Sequence, residues 1–240
     1  MQILGIPLFK SVDIAAIPFE SLLEMDVDHP FRIIIAQEDE GAFDYKEYEA
    51  KLYDRFSNFF GISEIRYDAW EPLGNKWVDM IEVSKDGIQF CLVPQDIYMD
   101  KDYLNRLWHY RDYDWIDSSS TLHYGLFNNR WIRYSKPEAL TGPNMALKLP
   151  VRTIKMNQPK GVDGWLFSMI RPKNNIRLTD YYGEFYIHHF HNLSGSRTAN
   201  FIKPSPPYYY AEPILLPENI KPIINNLIWK NKLNMEALEN

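Results

Sequence analysis

The sequence predicts an α+β fold that is mainly antiparallel β-sheet, with two or three helices. The 240 residues are 45% hydrophobic and 24% charged, as in globular chains long enough to bury a core without disulfides. Short apolar runs with a period of two recur along the chain and are bounded by turn residues. Helical periodicity is strongest in one segment near 44–60 and one C-terminal segment near 220–238.

The N-terminal segment, 1–19, does not fit a secretory signal peptide, because prolines and charges interrupt its apolar run and no basic region precedes that run. It is predicted to be an early strand. The β-branched run 31–36 predicts a buried strand. A helix over 44–60 follows, and Gly61 stands where a helix C-cap is expected. The apolar stripe of that helix is Tyr45, Tyr48, Leu52, Phe56 and Phe59.

Beyond Gly61 the period changes to two, and strands are predicted over 65–70, 77–83 and 88–93. Asp86-Gly87 separates the last two runs and is a strong hairpin signal, which favours antiparallel sheet. A second helix is predicted from about 98 to 113, although its Asp and Tyr residues weaken the helical pattern.

A hairpin is predicted over 121–134, around Asn128-Asn129, because Asn tolerates the left-handed backbone angles of tight turns. A loop-rich stretch, 135–150, follows. The chain is predicted to form one compact domain, 1–240, with a possible division into an acidic lobe, 1–135, and a basic lobe, 150–240.

Four further strands are predicted after the loop-rich stretch: 151–156, 165–170, 175–178 and 184–193. The segment 203–217 contains five prolines and Tyr208–Tyr210, so it should be extended and fit a sheet only at an edge. The last helix, 220–238, accommodates Pro222 in its first turn.

The two halves of the chain carry opposite charge. Residues 1–120 hold 24 Asp and Glu against 11 Lys and Arg, a net of −13, whereas residues 121–240 have a net of +7. An acidic half disfavours nucleic acid as a partner and favours a basic protein. Two alternatives stay open: the halves neutralise one another, or the acidic surface serves solubility.

The segment 96–117 combines six Asp and six Tyr or Trp with three Lys or Arg. Protein interfaces draw affinity from aromatic anchors, and carboxylates around them would pair with a basic partner. The alternative is that the aromatic side chains are core and the aspartates face solvent. The candidate partner-binding residues are Asp100, Asp102, Trp108, Tyr110, Asp112, Tyr113, Asp114, Trp115 and Asp117.

These features predict a non-catalytic protein-binding module without a cofactor, of the antitoxin or immunity-protein type that neutralises a toxin enzyme. Cys91, the single cysteine, lies in an apolar run and cannot form an internal disulfide, which fits a cytoplasmic location. No window approaches 18 uninterrupted apolar residues, so a membrane is not an expected partner.

The competing hypothesis is a metal-dependent enzyme. His189 and His191 would share one face of a strand and could ligate a transition metal with a third ligand such as His123, Asp112 or Asp114. Asp-x-Asp spacing, which some nucleotide-sugar enzymes use for a divalent cation, occurs at 26–28, 100–102 and 112–114. An Asp-rich half generates this spacing readily, so it is a weak signal. No P-loop, dinucleotide-binding glycine motif, zinc-protease motif or nucleophile elbow is present.

Overall fold

The structure is a computed structural model that describes residues 1–8, 13–126, 129–135, 144–153, 162–178, 184–188, 204, 206 and 208–238, with the backbone alone at 144–145, 162–163, 184–188 and 230–238. The described residues form twelve strands and six α-helices. The strands are β1 (Gln2–Pro7), β2 (Phe31–Glu38), β3 (Phe59–Tyr67), β4 (Gln89–Leu92), β5 (Ile97–Met99), β6 (Trp115–Ser118), β7 (Ser120–Gly125), β8 (Arg130–Ser135), β9 (Asn144–Lys148), β10 (Asn175–Leu178), β11 (Glu184–His188) and β12 (Tyr208–Tyr210). The helices are α1 (Ala16–Glu24), α2 (Lys46–Arg55), α3 (Leu73–Glu82), α4 (Tyr103–His109), α5 (Val162–Ile170) and α6 (Lys221–Leu238), and a 3-10 turn, Glu218–Ile220, precedes α6.

The larger sheet has seven strands in the order β10-β6-β9-β4-β1-β2-β3. All neighbours in it pair in parallel except β9, which is antiparallel to both β4 and β6. Helices α1, α2 and α3 connect β1 to β4 in turn. Side chains of α1 and α2 pack on one face of the sheet, and those of α3 and α5 pack on the other. The fold is therefore a doubly wound α/β fold, and the prediction of a mainly antiparallel α+β fold is wrong.

Two predicted strands are helices, because their apolar spacing fits both periods. In 77–83, Trp77, Met80 and Ile81 also recur at helical spacing, and in α3 all three face the sheet and are buried. The run 165–170 is apolar throughout, so period cannot separate strand from helix, and it lies in α5.

The sequence of β2 contains a signal of parallel sheet, which is an apolar run whose successive residues are all buried. Ile33, Ile34, Ile35 and Ala36 are all fully buried, since helices cover both faces of the strand. A strand with one solvated face would alternate instead. Two further differences concern α1 and α4. Helix α1 begins within the segment predicted to be an early strand, and the predicted helix 98–113 is divided into β5 and α4.

Several predicted elements are confirmed. The strand over 31–36 is β2, the hairpin over 121–134 is β7 with β8, and Asn129 has a φ of 54°. Helix α2 is shorter than predicted because Gly61 belongs to β3, where its φ of 95° marks an irregular register with β2. The tyrosines of 208–210 form an edge strand, and Pro222 lies in the first turn of α6.

The smaller sheet has five strands in the order β12-β8-β7-β11-β5. It is joined to the larger sheet twice over short distances, since β5 follows β4 and β7 follows β6 within a few residues. One of its faces packs against the 3-10 turn and α6 through Leu122, Tyr124 and Trp131. The two connections place this sheet beside the carboxyl ends of β4 and β6.

Candidate functional site

The carboxyl ends of β1, β2 and β4 meet at one edge of the larger sheet. The chain leaves β1 towards β2 on one side, and β4 lies on the other side of β1, so the strand order reverses between β1 and β4. Open α/β sheets bind ligands in the crevice at such a switch point. The residues that follow the strands there are Leu8 after β1, Glu38 at the end of β2 and Asp96 after β4.

A buried lysine joins the ends of β1 and β2. Lys76, in the first turns of α3, is 1% exposed, and its Nζ donates a hydrogen bond to the carbonyl oxygen of Leu8 at 2.6 Å. The same Nζ lies 2.7 Å from Oε1 of Glu38, which is 5% exposed and also accepts a hydrogen bond from the backbone N–H of Glu71. Lys76 therefore holds both strand ends in a fixed relation at the crevice.

The pKa of the Lys76 ammonium is lowered overall, because the effect of burial outweighs that of its contacts with Glu38. Burial lowers the pKa of Lys76, whereas the hydrogen bond and the charge of Glu38 raise it. The Nζ lies 5.9 Å from the centre of the Tyr67 ring, and the Tyr67 hydroxyl donates to Oδ2 of Asp79 at 2.9 Å. Burial and the Asp79 hydrogen bond raise the pKa of Tyr67, so this hydroxyl stays protonated and acts as a donor.

The ends of β2 and β3 are joined by a second polar cluster. Gln37 donates from Nε2 to the Phe43 carbonyl oxygen at 3.2 Å and to Oε1 of Glu64 at 2.5 Å. Glu64 also lies 2.6 Å from Nε of Arg66, whose Nη1 is 3.5 Å from Asp39. This edge of the sheet is thus rigid and rich in carboxylates.

Asp96 is the carboxylate that follows β4, and it is 9% exposed. None of the three Asp-x-Asp pairs lies there: the pair 26–28 precedes β2, the pair 112–114 precedes β6, and the pair 100–102 contacts the first through the Asp26 N–H and the Lys101 carbonyl. Among the described residues there is no group of three His, Cys, Asp or Glu that could hold a metal ion. The described side chains thus do not by themselves form a metal centre.

Much of the predicted partner-binding segment covers the opposite, amino end of the sheet. Gln89, at the start of β4, donates from Nε2 to the carbonyl oxygen of Leu107 in α4 at 2.8 Å. The Trp108 ring stacks on His29 with centroids 4.6 Å apart, and Nε2 of His29 lies 2.8 Å from Oε1 of Gln2. These contacts attach α4 to the first residues of β1 and β4, which is a structural role.

Two predicted partner-binding residues are internal to the sheet. Trp115 is 1% exposed and lies in the core, and Asp117 is 3% exposed. Asp117 accepts hydrogen bonds from Nε and Nη2 of Arg177 at 2.9 and 2.8 Å, so one residue of the acidic half pairs with one of the basic half. Neither side chain is available to a partner surface.

The other predicted residues do not form one exposed surface. Tyr110 and Tyr113 are half-buried against the core, and Asp114 accepts hydrogen bonds from the backbone N–H groups of Lys173 and Asn174. Asp100 accepts one from the backbone of Asp102, and Trp108 is half-buried, which leaves Asp112 as the exposed member. The alternative hypothesis cannot be placed in the same way, because His189 and His191 lie outside the described residues.

No protein-family model matches the sequence, and a search of curated proteins gives no match. Solved structures do match. A crystal structure of S. aureus TarS has a TM-score of 0.55 at 12% identity, over 78% of this chain and 36% of that chain. This likeness shows that the chain shares the α/β fold of TarS. A crystal structure of S. aureus TarS 1–349 in complex with UDP has a TM-score of 0.53 at 12% identity, over 79% of this chain and 61% of that chain. The structure of TarS 1–349 in complex with UDP-GlcNAc has a TM-score of 0.51 at 11% identity, over 78% of this chain and 58% of that chain.

The likeness to TarS corrects the functional prediction. The chain spans about a third of the first TarS chain and about three fifths of TarS 1–349. The matched proteins are crystallised with a nucleotide and a nucleotide sugar, so the predictions of a non-catalytic antitoxin or immunity module and of a basic protein partner are wrong. No helix in the described part of the chain combines the length and hydropathy needed to span a membrane.

Sequence reasoning missed the three side chains of the crevice. Glu38 and Asp96 each come within three residues of the end of an apolar run, where carboxyl-end residues of parallel strands are found. This position would have marked both residues as site candidates if the strands had been predicted to be parallel. Nothing in the local sequence marks Lys76, because its role depends on the distant Leu8 and Glu38.

Proposed function

We propose that this chain binds a nucleoside diphosphate sugar in the crevice between β1 and β4 and transfers the sugar to an acceptor hydroxyl. The observation that carries the proposal is the buried Lys76–Glu38 pair at the end of β2, together with the buried Asp96 after β4, at the switch point of a glycosyltransferase-type fold. The complexes of TarS 1–349 with UDP and UDP-GlcNAc support the same ligand class.

The crevice offers two kinds of contact to such a donor. Helix α3 begins at this edge without a side-chain cap, so its first backbone N–H groups and its dipole favour a negatively charged diphosphate. The Asp96 carboxylate is suited to accept hydrogen bonds from hydroxyl groups of the donor, and such charge-assisted bonds are strong. The contacts of Lys76 with Leu8 and Glu38 fix the strand ends, so these groups are positioned before the ligand binds.

In the transfer, the acceptor hydroxyl oxygen forms a bond to C1 of the donor sugar while the bond from C1 to the diphosphate oxygen breaks. The nucleoside diphosphate leaves with the electron pair, and the hydroxyl proton passes to a base or to water.

The predictions of a cytoplasmic location and of one or two lobes stay predictions.

The experiment is a calorimetric titration of the full chain with UDP, UDP-GlcNAc and a panel of other nucleoside diphosphate sugars. Asp96→Asn should weaken binding of the preferred donor by about 10-fold, as expected for the loss of a charge-assisted hydrogen bond. Asp112→Asn is the matched control, because Asp112 is an exposed aspartate before β6, at the other end of the sheet. Absence of binding by every donor, or equal effects of the two variants, would overturn the proposal.

A further inference from the structure

The smaller sheet carries a cluster of aromatic side chains on the face turned away from α6. The ring centroids of Tyr134 and Tyr208 are 5.2 Å apart, and His123 lies 6.5 Å from Tyr134 and 6.3 Å from Tyr208. All three side chains are half-buried, and Tyr210 at the end of the cluster is 61% exposed. We call these four residues the aromatic platform.

Strand register places the platform on one face. Tyr134 is paired with Tyr208, and Ile132 is paired with both His123 and Tyr210, so the four side chains fall in two adjacent rows. Residues that alternate with them, such as Leu122, point to the other face and pack against α6. Tyr209 also belongs to that other face, although it is 43% exposed.

The platform begins close to the proposed donor site. Tyr186 of β11 is paired with Ile97 of β5 on one side and with His123 of β7 on the other. His123 is therefore two strand spacings, about 10 Å, from Ile97, which directly follows Asp96. Tyr134 and Tyr208 lie one and two strand spacings further away, about 14 and 19 Å from Ile97, so a chain of several sugar units stacked on them would reach the crevice with one end.

The chemistry of the platform combines ring faces with polar groups. The Thr121 hydroxyl lies 2.8 Å from Nε2 of His123 and fixes the imidazole. Nη1 of Arg130 lies 3.4 Å from the hydroxyl of Tyr210, and its guanidinium carbon is 5.9 Å from the centre of that ring. Half-buried rings bordered by hydroxyl, imidazole and guanidinium groups match a sugar ring, which has an apolar C–H face and hydroxyls around its edge.

We propose that the aromatic platform binds the acceptor, and that the acceptor is a carbohydrate whose ring stacks on Tyr134 and Tyr208. This proposal rests on the proposed function, since it names the substrate that receives the sugar. The acceptor hydroxyl nearest the crevice is then the group that forms the new bond to C1 of the donor.

The test is saturation-transfer NMR of the full chain, in the presence of UDP, with a panel of methyl glycosides and disaccharides. Tyr208→Ala and Tyr134→Ala should each weaken the best sugar by about 10-fold, whereas Tyr208→Phe should retain binding because the ring is kept. Tyr209→Ala is the matched control from the same strand and the opposite face, and its sugar affinity should stay within 2-fold of wild type, about the precision of such a titration.

UDP affinity, measured in parallel, separates the two proposals. Unchanged UDP affinity with lost sugar binding in Tyr208→Ala supports the platform, and sugar binding by a chain that binds no nucleoside diphosphate sugar of the panel overturns the proposed function alone. Absence of sugar binding in wild type, or equal losses in Tyr208→Ala and Tyr209→Ala, overturns the platform. Where an alanine variant fails to fold, intermolecular NOEs between sugar C–H protons and tyrosine ring protons of the wild-type chain decide the question, and their absence counts against stacking.

Discussion

Replacement of Lys76 by methionine is the most direct test of the buried Lys76–Glu38 pair at the crevice. Lys76→Met keeps the length of the side chain but leaves the Glu38 carboxylate, 5% exposed, without its cation, and it removes the donor from the Leu8 carbonyl. Removal of one partner of a buried pair costs about 3–5 kcal/mol of stability. In a chain of this length that loss lowers Tm by about 6–20 °C.

The assay is urea unfolding followed by circular dichroism, with three companion variants, of which Glu38→Met is the second single variant. Lys76→Met/Glu38→Met removes both charges, and it should recover much of the lost stability because no buried charge is left unpaired. Lys51→Met is the matched control: Lys51 lies 2.6 Å from Glu47 in an exposed i,i+4 pair, whose loss costs only about 0.3–0.5 kcal/mol.

Two results would refute the reasoning about Lys76. One is a loss in Lys76→Met no larger than that in Lys51→Met, which would mean that the carboxylate of Glu38 is solvated. The other is a double variant as unstable as the sum of its single variants, which would mean that the two side chains do not interact.

Two further variants address packing, and one addresses charge. A Cβ added at Gly5 would lie 2.2 Å from Cζ of the buried Phe90, so Gly5→Ala should cost about 1–3 kcal/mol in urea unfolding. Gly164→Ala meets no atom within 4 Å and lies in α5, so it should be neutral or stabilising by up to about 1 kcal/mol, and a loss like that of Gly5→Ala would contradict this. Burial raises the pKa of Asp100, so the folded state holds this proton more tightly and stability falls as pH rises through that pKa. Asp100→Asn should therefore be more stable than wild type at pH 7 but not at pH 3, and an equal difference at both pH values would show that ionisation of Asp100 is not the cause.

Local patterns in the sequence predicted single elements well and their arrangement poorly. The hairpin of β7 and β8 depends on a short loop with Asn129, and the edge position of β12 depends on its neighbouring prolines, so both could be predicted from nearby residues. The run 77–83 fits helix and strand alike, and only its packing on β1 and β2 selects the helix. Because this helix was predicted as a strand, a βαβ crossover was predicted as a hairpin, and the predicted fold class was wrong.

The crevice was missed for a related reason, since its residues come from separate strands. Glu38 and Asp96 are 58 positions apart in the sequence, and they reach one edge only because β2 and β4 run in the same direction beside β1. In an antiparallel sheet the same residues would have no reason to lie near each other. The wrong strand direction therefore concealed the site, although both carboxylates were visible in the sequence.

The opposite charges of the two halves have a different meaning in the structure from the one that composition suggested. Asp117 of the acidic half and Arg177 of the basic half form a buried pair between β6 and β10, so part of the asymmetry is internal. Other acidic residues, such as Glu64, lie in paired clusters at the edge that we assign to the donor. The Asp96 carboxylate opposes binding of a free diphosphate, so the backbone N–H groups at the start of α3 matter more to donor binding here than they would in a neutral site. Specificity for a ligand with many hydroxyl groups, which carboxylates bind well, is the expected consequence of that charge, and it favours a sugar over a plain nucleotide in this crevice.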